Sequence, residues 1–278
     1  MDEVTCGDNL DVMATWPGGC VDLLYLDPPF FTGRKQRLPN RDLTVGFDGW
    51  TDCWDGLDTY LEWLEPRLVE ARRLLRESGN LVVHLDWHAV HYVKVMLDRL
   101  FGRPAFVNEI VWCYSVGARS PRHFGRKHDT LLWYAASPAY YFDPSAVSIP
   151  RREKSHMRVQ RDGEGRLFQE KTDRRSGKVY RYEVAAGKLP EDYWTDIETI
   201  NWEDRQRTGY PTQKPEKLLE RLILPLSPPG GVVADPVCGS GTTLVVARRH
   251  GRRILGCDIL PEAVQVARSR LSLEAQCA

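Results

Sequence analysis

The carboxylate with the most evident chemistry in this 278-residue chain stands in residues 25–33, YLDPPFFTG. Asp27 closes an apolar run, VDLLYL at 21–26, and is followed by Pro28, Pro29, Phe30 and Phe31. Proline fixes φ and biases the residue before it to extended geometry. The directions of the Asp27 carboxylate and the Pro28 carbonyl are therefore set by the backbone. Two rigid acceptors side by side suit the two hydrogens of an exocyclic amine. Such an amine is a poor nucleophile because its lone pair is delocalised into the ring. Holding its hydrogens favours the pyramidal form and stabilises positive charge growing on nitrogen. Phe30 or Phe31 offers a face for a base to stack on, worth about 1–3 kcal/mol. A base in a duplex must first be turned out of the stack, which costs free energy. Read alone, DPPF is also a plain Pro-Pro turn that ends a strand.

A second constellation lies near the other end, VVADPVCGSGTTLVVARR at 232–249. It reads as strand, glycine turn, helix. Gly239 and Gly241 remove side chains where a ligand approaches the backbone, and the start of the helix offers free N–H groups. Asp258 ends the following strand, where an acid hydrogen-bonds ribose hydroxyls in this class of sheet. No GxxxxGK[ST] is present, which argues against a nucleoside triphosphate, and the third position of a GxGxxG pattern is Leu244. A nucleoside ligand without a diphosphate remains, and Asp235 at the loop entrance suits an ammonium group. S-adenosylmethionine fits, with its ribose on Asp258, its amino group near Asp235 and its methionine backbone over the glycines.

The elements that must hold these residues alternate between strand and helix. Strands are expected at 3–6, 21–26, 80–86, 106–114, 130–136, 231–236 and 252–259. Helices are expected at 57–78, with Gly79 as the stop signal, and at 89–102, 214–226, 241–251 and 261–275. This rhythm predicts an α/β fold, a doubly wound, mostly parallel sheet with helices on both faces. Residues 116–208 break the rhythm and are rich in Arg, Lys, Gly and Pro. The reading is therefore a catalytic-motif half at 1–115, an inserted recognition region at 116–208 and a cofactor-binding half at 209–278.

Composition sets the outer bounds. Hydrophobic residues make up 42% of the chain, enough for a large core, and the formal net charge is zero, so bulk charge names no partner. The distribution is uneven. Residues 1–70 hold 14 acidic against 5 basic residues, and residues 151–188 hold 12 basic against 6 acidic, so one region is expected to meet an anion. Seven dispersed cysteines without a CxxC pair argue against a disulfide framework and a zinc site. An acidic N-terminus without an apolar h-region, and the absence of a long apolar run, place the expectation in the cytoplasm with no membrane span.

Together these stretches resemble the amino-methylating DNA methyltransferases, which modify adenine N6 or cytosine N4. DPPF resembles the family's motif IV, DPVCGSGTT its motif I, and YPTQKPEKLLERLI at 210–223 its motif X. Acid-Pro-Pro first, glycine loop last and a recognition region between resemble the β group, a circularly permuted order. The sheet would then begin with its third strand at 3–6 and finish with its first two, the glycine-loop strand lying beside the DPPF strand. The resemblance implies Asp27, Pro28, Pro29 and Phe30 for the amine and base. It implies Asp235, Gly239, Gly241, Thr242 and Asp258 for the cofactor, Asp8 near its adenine, and Thr212, Gln213 and Lys214 along its methionine end. Val237 departs from the family, which usually has an aromatic there. Adenine N6 is the favoured acceptor, since the tetrapeptide starts with Asp rather than Ser; cytosine N4 and a catalytically silent DNA-binding subunit are the alternatives. The implied partner is double-stranded DNA, with a cognate restriction endonuclease and a homodimer left open.

Weaker signals surround these. GARSPRHFGRKH at 117–128 carries Arg119, Arg122, Arg126 and Lys127, a loop suited to phosphate contact or simply a solvated one. HLDWHAVH offers His84, Asp86, His88 and His91 at metal-like spacing, but methyl transfer needs no metal and none is expected. Asp86 and Trp87 are expected at the pocket rim. Trp50, Trp54 and Trp63 are expected in the core or an interface.

Overall fold

The computed structural model describes residues 2–36, 50–116, 120–151 and 157–277, without the side chains of residues 36, 50, 51 and 275–277. In chain order the elements are β1 (Asp2–Cys6), α1 (Asn9–Thr15), β2 (Val21–Leu26), β3 (Arg34–Gln36), β4 (Trp50–Asp52), α2 (Leu57–Leu74), β5 (Leu75–Leu85), α3 (Val90–Phe101), β6 (Phe106–Cys113), β7 (His128–Ala135), β8 (Val159–Arg161), β9 (Leu167–Thr172), β10 (Val179–Glu183), β11 (Tyr193–Trp194), α4 (Glu216–Leu226), β12 (Val232–Asp235), α5 (Thr242–Arg249), β13 (Arg253–Asp258) and α6 (Pro261–Cys277). Eight strands form one sheet in the order β1-β13-β12-β2-β5-β7-β6-β11. Its pairings are parallel except those of β7, which runs against both β5 and β6. The first strand pairs with the last, and the glycine-loop strand β12 lies beside the DPPF strand β2.

Alternation along β2 explains the layers. Leu23 and Tyr25 enter one core with α4, α5 and α6; Leu24 and Leu26 enter the other with α1, α2 and α3. All six residues of β2 are buried, as a central parallel strand requires. The pairing of β2 with β12 is short, Val233 opposite Leu23 and Ala234 opposite Leu24. Asp22 extends it, accepting from the Val232 N–H at 2.7 Å while Arg76 neutralises it from 3.0 Å. This side-chain tie, at the amino-terminal ends of both strands, holds β2 beside β12.

Two expectations change. Gly79 does not stop α2, which ends at Leu74; it sits within β5, where an added Cβ would meet the carbonyls of Val21 and Arg76 at 2.9 Å. The expected insertion is also narrower than 116–208. The chain divides into one unit of Met1–Phe142 with Asp192–Ala278 and a second of Asp143–Glu191. Residues 128–135 and 193–194 return to the main sheet because β7 and β11 flank β6 there. The second unit is built on the antiparallel β10-β9-β8 sheet, with Phe168 buried beneath Arg181 at 3.7 Å.

Candidate active site

At the carboxyl ends of β2 and β12 opens a cavity of about 470 Å³, within the roughly 300–1,000 Å³ typical of small-molecule sites. Asp27, Pro28, Pro29 and Phe30 line it, together with Asp8, Thr212, Gln213, Lys214, Asp235, Gly239, Thr242 and Asp258. Residues from the two ends of the chain therefore meet in one crevice.

The DPPF loop is held from several sides. Asp27 Oδ2 accepts from Lys214 Nζ at 2.5 Å, and the same ammonium lies 5.1 Å from the centre of the Phe30 ring. Asp27 Oδ1 is buried and, among the described residues, has no hydrogen-bond partner. An unsatisfied buried acceptor is costly unless something donates to it. The Pro29 carbonyl accepts from Tyr60 Oη at 2.8 Å. Phe31 sits at φ 62°, a strained region for a bulky residue. Asp52 maintains that strain by accepting from Phe31 N at 2.8 Å, Thr32 N at 2.9 Å and Thr32 Oγ1 at 2.6 Å. As a result Phe31 packs on Tyr60, ring centres 5.6 Å apart, and Phe30 is the phenylalanine at the cavity.

In the other half, burial pushes the Asp235 carboxyl up to about 7, and the charges of Asp27 and Asp258 add to that shift. Hydrogen bonds from Thr243 and from the Val237 N–H oppose it. A buried acid at the cavity wall that has no ion pair among the described residues fits an incoming ammonium. Asp258 is also raised by burial, and its carboxylate braces the loop, accepting from Gly239 N at 2.8 Å and Leu260 N at 2.9 Å. A carboxylate has about four acceptor sites, so hydroxyl donors still find room.

Of the two glycines, Gly239 lines the cavity and Gly241 does not. A Cβ on Gly239 would come within 2.9 Å of the Tyr210 ring, and one on Gly241 within 2.6 Å of Ala267 Cβ. Both have positive φ. Gly241 does not line the cavity; it is small because α6 packs against it. Lys214, expected along the methionine end, lines the cavity and reaches Asp27. Gln213 folds its own loop, accepting from Thr208 and donating to the Gln206 carbonyl. Thr242 Oγ1 accepts from Arg270 at 2.9 Å.

Asp8 lines the cavity, but its carboxylate is tied to Arg67 at 2.7 Å and caps α1 through Leu10 N. Arg67 also binds Asn9 and lies 4.1 Å over the Trp63 ring. Asn9, Trp54 and Trp63 line the cavity too; the two tryptophans also pack against the hydrophobic core, as expected, and the Trp50 side chain lies outside the described residues. One signal was available: Arg67 falls on the buried face of α2 with Tyr60, Leu64 and Ala71, where a charge needs a partner.

The remaining candidates scatter. His84 is wholly buried, its Nδ1 2.7 Å from Tyr25 Oη and its Nε2 3.1 Å from Asp129. Asp86 does not line the cavity, because its carboxylate binds the backbone and ring of His88. Trp87 does not either; it carries His88 at 3.7 Å and Arg126 at 3.8 Å. Arg122 and Arg126 are exposed, whereas Lys127 Nζ is engaged by the Ser115 carbonyl. Arg119 lies outside the described residues.

A DNA methylase family model, N6_N4_Mtase, matches residues 21–269. The chain belongs to the N6/N4 DNA methylase family. Like other members of the family, it is an S-adenosylmethionine-dependent DNA methyltransferase of the adenine-N6 or cytosine-N4 kind. Among its relatives is the DNA adenine methyltransferase YhdJ of Escherichia coli K12, 28% identical over 96% of this chain and 81% of that protein. Another is the type II methyltransferase M.ScaI of Streptomyces caespitosus, 28% identical over 97% of this chain and 81% of that one. Among solved structures, the cytosine-N4-specific PvuII DNA methyltransferase superposes with a TM-score of 0.65 at 18% identity, covering 97% of this chain and 86% of that one. The M1.HpyAVI complex with its cofactor superposes at 0.60 and 17% identity, covering 98% and 99%. At those identities the structures speak to the methylase fold alone. Among the described residues no helix is long and apolar enough to cross a membrane, and no cluster of three metal-ligating side chains occurs.

Proposed function

We propose that this methylase transfers its methyl group to N6 of an adenine turned out of duplex DNA. The observation that carries the reading is the buried Asp27 Oδ1, an acceptor without a donor among the described residues, in the cavity that Phe30, Asp235 and Asp258 also line. Asp27 Oδ1 and the Pro28 carbonyl take the two amine hydrogens, and Lys214 keeps Oδ2 from turning away. Phe30 stacks on the base, and Asp52 and Tyr60 hold the loop so that none of this geometry must form during the reaction. The bound cofactor supplies an electrophilic methyl on a sulfonium. Asp235 holds its ammonium, Asp258 its ribose, and the backbone around Gly239 its methionine end. Adenine is favoured over cytosine by Asp at the head of the tetrapeptide and by the relative named an adenine methyltransferase.

The second unit is proposed as the target-recognition region. Its residues 151–188 carry 12 basic against 6 acidic side chains, several stacked on aromatics, as Arg151 is on Tyr182. The type II relatives favour a cognate endonuclease as a partner in a bacterial cytoplasm. The test is incubation of unmethylated bacterial DNA with methyl-labelled cofactor, then nucleoside mass spectrometry and sequencing of the modified sites. N6-methyladenine is expected; N4-methylcytosine alone would move the acceptor, and no methylated base would leave a silent DNA-binding subunit.

A further inference from the structure

Among the described residues, two large hydrophobic side chains stand more than 70% exposed, Phe124 at 98% and Trp202 at 75%. Both lie on loops at the edge of the sheet where Asp27 sits. β7 begins at that edge, since Thr130 pairs with Leu85 at the end of β5, and β6 ends there, Cys113 opposite His128. Residues 114–127 therefore connect two strand ends beside the crevice. β11 runs parallel to β6, so the segment after Trp194, which contains Trp202 and leads to Tyr210 and Lys214, leaves from the same edge. Lone exposed apolar residues are ordinary on protein surfaces. The two most exposed ones gathering at the ligand edge of an enzyme, among arginines, is a pattern.

The aromatics on this edge are not equivalent. Trp202 has the Arg207 guanidinium over its ring at 3.9 Å, and Trp87 carries both His88 and Arg126. Phe124 has no ring or cation contact among the described residues. It stands between exposed Arg122 and Arg126 on a segment anchored at its base, where Tyr114 N donates to the Lys127 carbonyl at 3.0 Å and Lys127 Nζ to Ser115. A ring that is to enter a base stack needs both faces free and phosphate-binding charges on either side. Turning a base out of the duplex leaves a gap that an apolar wedge can fill.

We propose that Phe124 is the wedge that enters the duplex and fills the space left by the extruded base, a positioning residue distinct from the groups that handle the base itself. This rests on the reading of the chain as acting on a flipped base. Because the side chain contacts almost nothing, its removal leaves the fold and the cavity intact.

The test uses the full chain and a duplex carrying the recognition site mapped by sequencing, with the target base either correctly paired or opposite an abasic position. Phe124→Ala is expected to lose about tenfold or more in kcat/KM on the paired duplex, and under about threefold on the abasic one, where nothing must be displaced. Phe124→Trp should restore the paired rate. Equal rates for Phe124→Ala and the parent on the paired duplex would overturn the proposal, as would an equal slowing on both duplexes. 2-Aminopurine at the target position reads extrusion by fluorescence without any methyl transfer. A chain that extrudes but does not methylate would count against the acceptor chemistry and not against the wedge.

Discussion

At the scale of single residues, the proposed function assigns Asp27 to the base and Asp235 to the cofactor. Replacing Asp27 with Ala would remove the proposed acceptor for the amine and leave the other half of the cavity in place. Turnover should fall by at least about 100-fold, followed by label transfer, with the cofactor dissociation constant changed by less than about threefold in calorimetry; an unaltered rate would refute the assignment. Asp235 predicts a pH dependence. Its carboxyl is raised from 3.8 to about 7 in the free chain, and binding an ammonium favours the ionised form. Binding therefore releases a proton, so affinity should rise with pH below about 7, by up to about tenfold per unit, and level off above it. A flat profile between about pH 6 and pH 8 would remove Asp235 from the cation site. The same shift lowers stability: the folded chain holds this proton more tightly than the unfolded one, so the free protein should lose stability as pH rises from about 4 through about 7. The place of both acids at the crevice was legible in the sequence, because a strand end followed by prolines or glycines marks a ligand edge. The partners that tune them were not. Lys214 reaches Asp27 across 187 positions of sequence, and no local pattern encodes that contact.

Elements set the limits on the loops. α6 packs against the start of α5 at Gly241, whose φ of 75° and closeness to Ala267 both exclude a side chain. Gly241→Ala should cost about 2–4 kcal/mol of stability in a denaturant titration, with Ala267→Gly recovering part of it; an additive pair would show that the helices do not meet there. β4 contributes Asp52 to the strained turn at Phe31. Asp52→Ala frees three donors and should lower the melting temperature and kcat together while leaving the wedge at Phe124 unaffected. Periodicity located β2, α4 and α6 within a residue or two, since apolar spacing is a local property. It did not find α1 and β11, which are short and owe their form to partners: Asp8 and Arg67 for α1, and the edge of β6 for β11.

For the whole molecule, the zero net charge conceals a basic second unit and an acidic first stretch of the chain. Substituting Arg174 and Arg175 together by Ala should weaken DNA binding and flatten the plot of log K against log salt by about 1–2 in slope, with cofactor affinity unchanged. An unchanged slope would place the phosphate contacts elsewhere. The doubly wound sheet was legible from the alternation of strands and helices. The true division at 143 and 191 was not, because β7 and β11 rejoin the sheet through pairing with residues far away in sequence. The strand order has a further meaning during synthesis. β2 emerges from the ribosome well before β12 and β13, yet the sheet places all three side by side. A nascent chain thus carries the DPPF loop long before the glycine loop that lies beside it, and on the proposed reading it would gain its methyl-donor site only once β12 and β13 had docked.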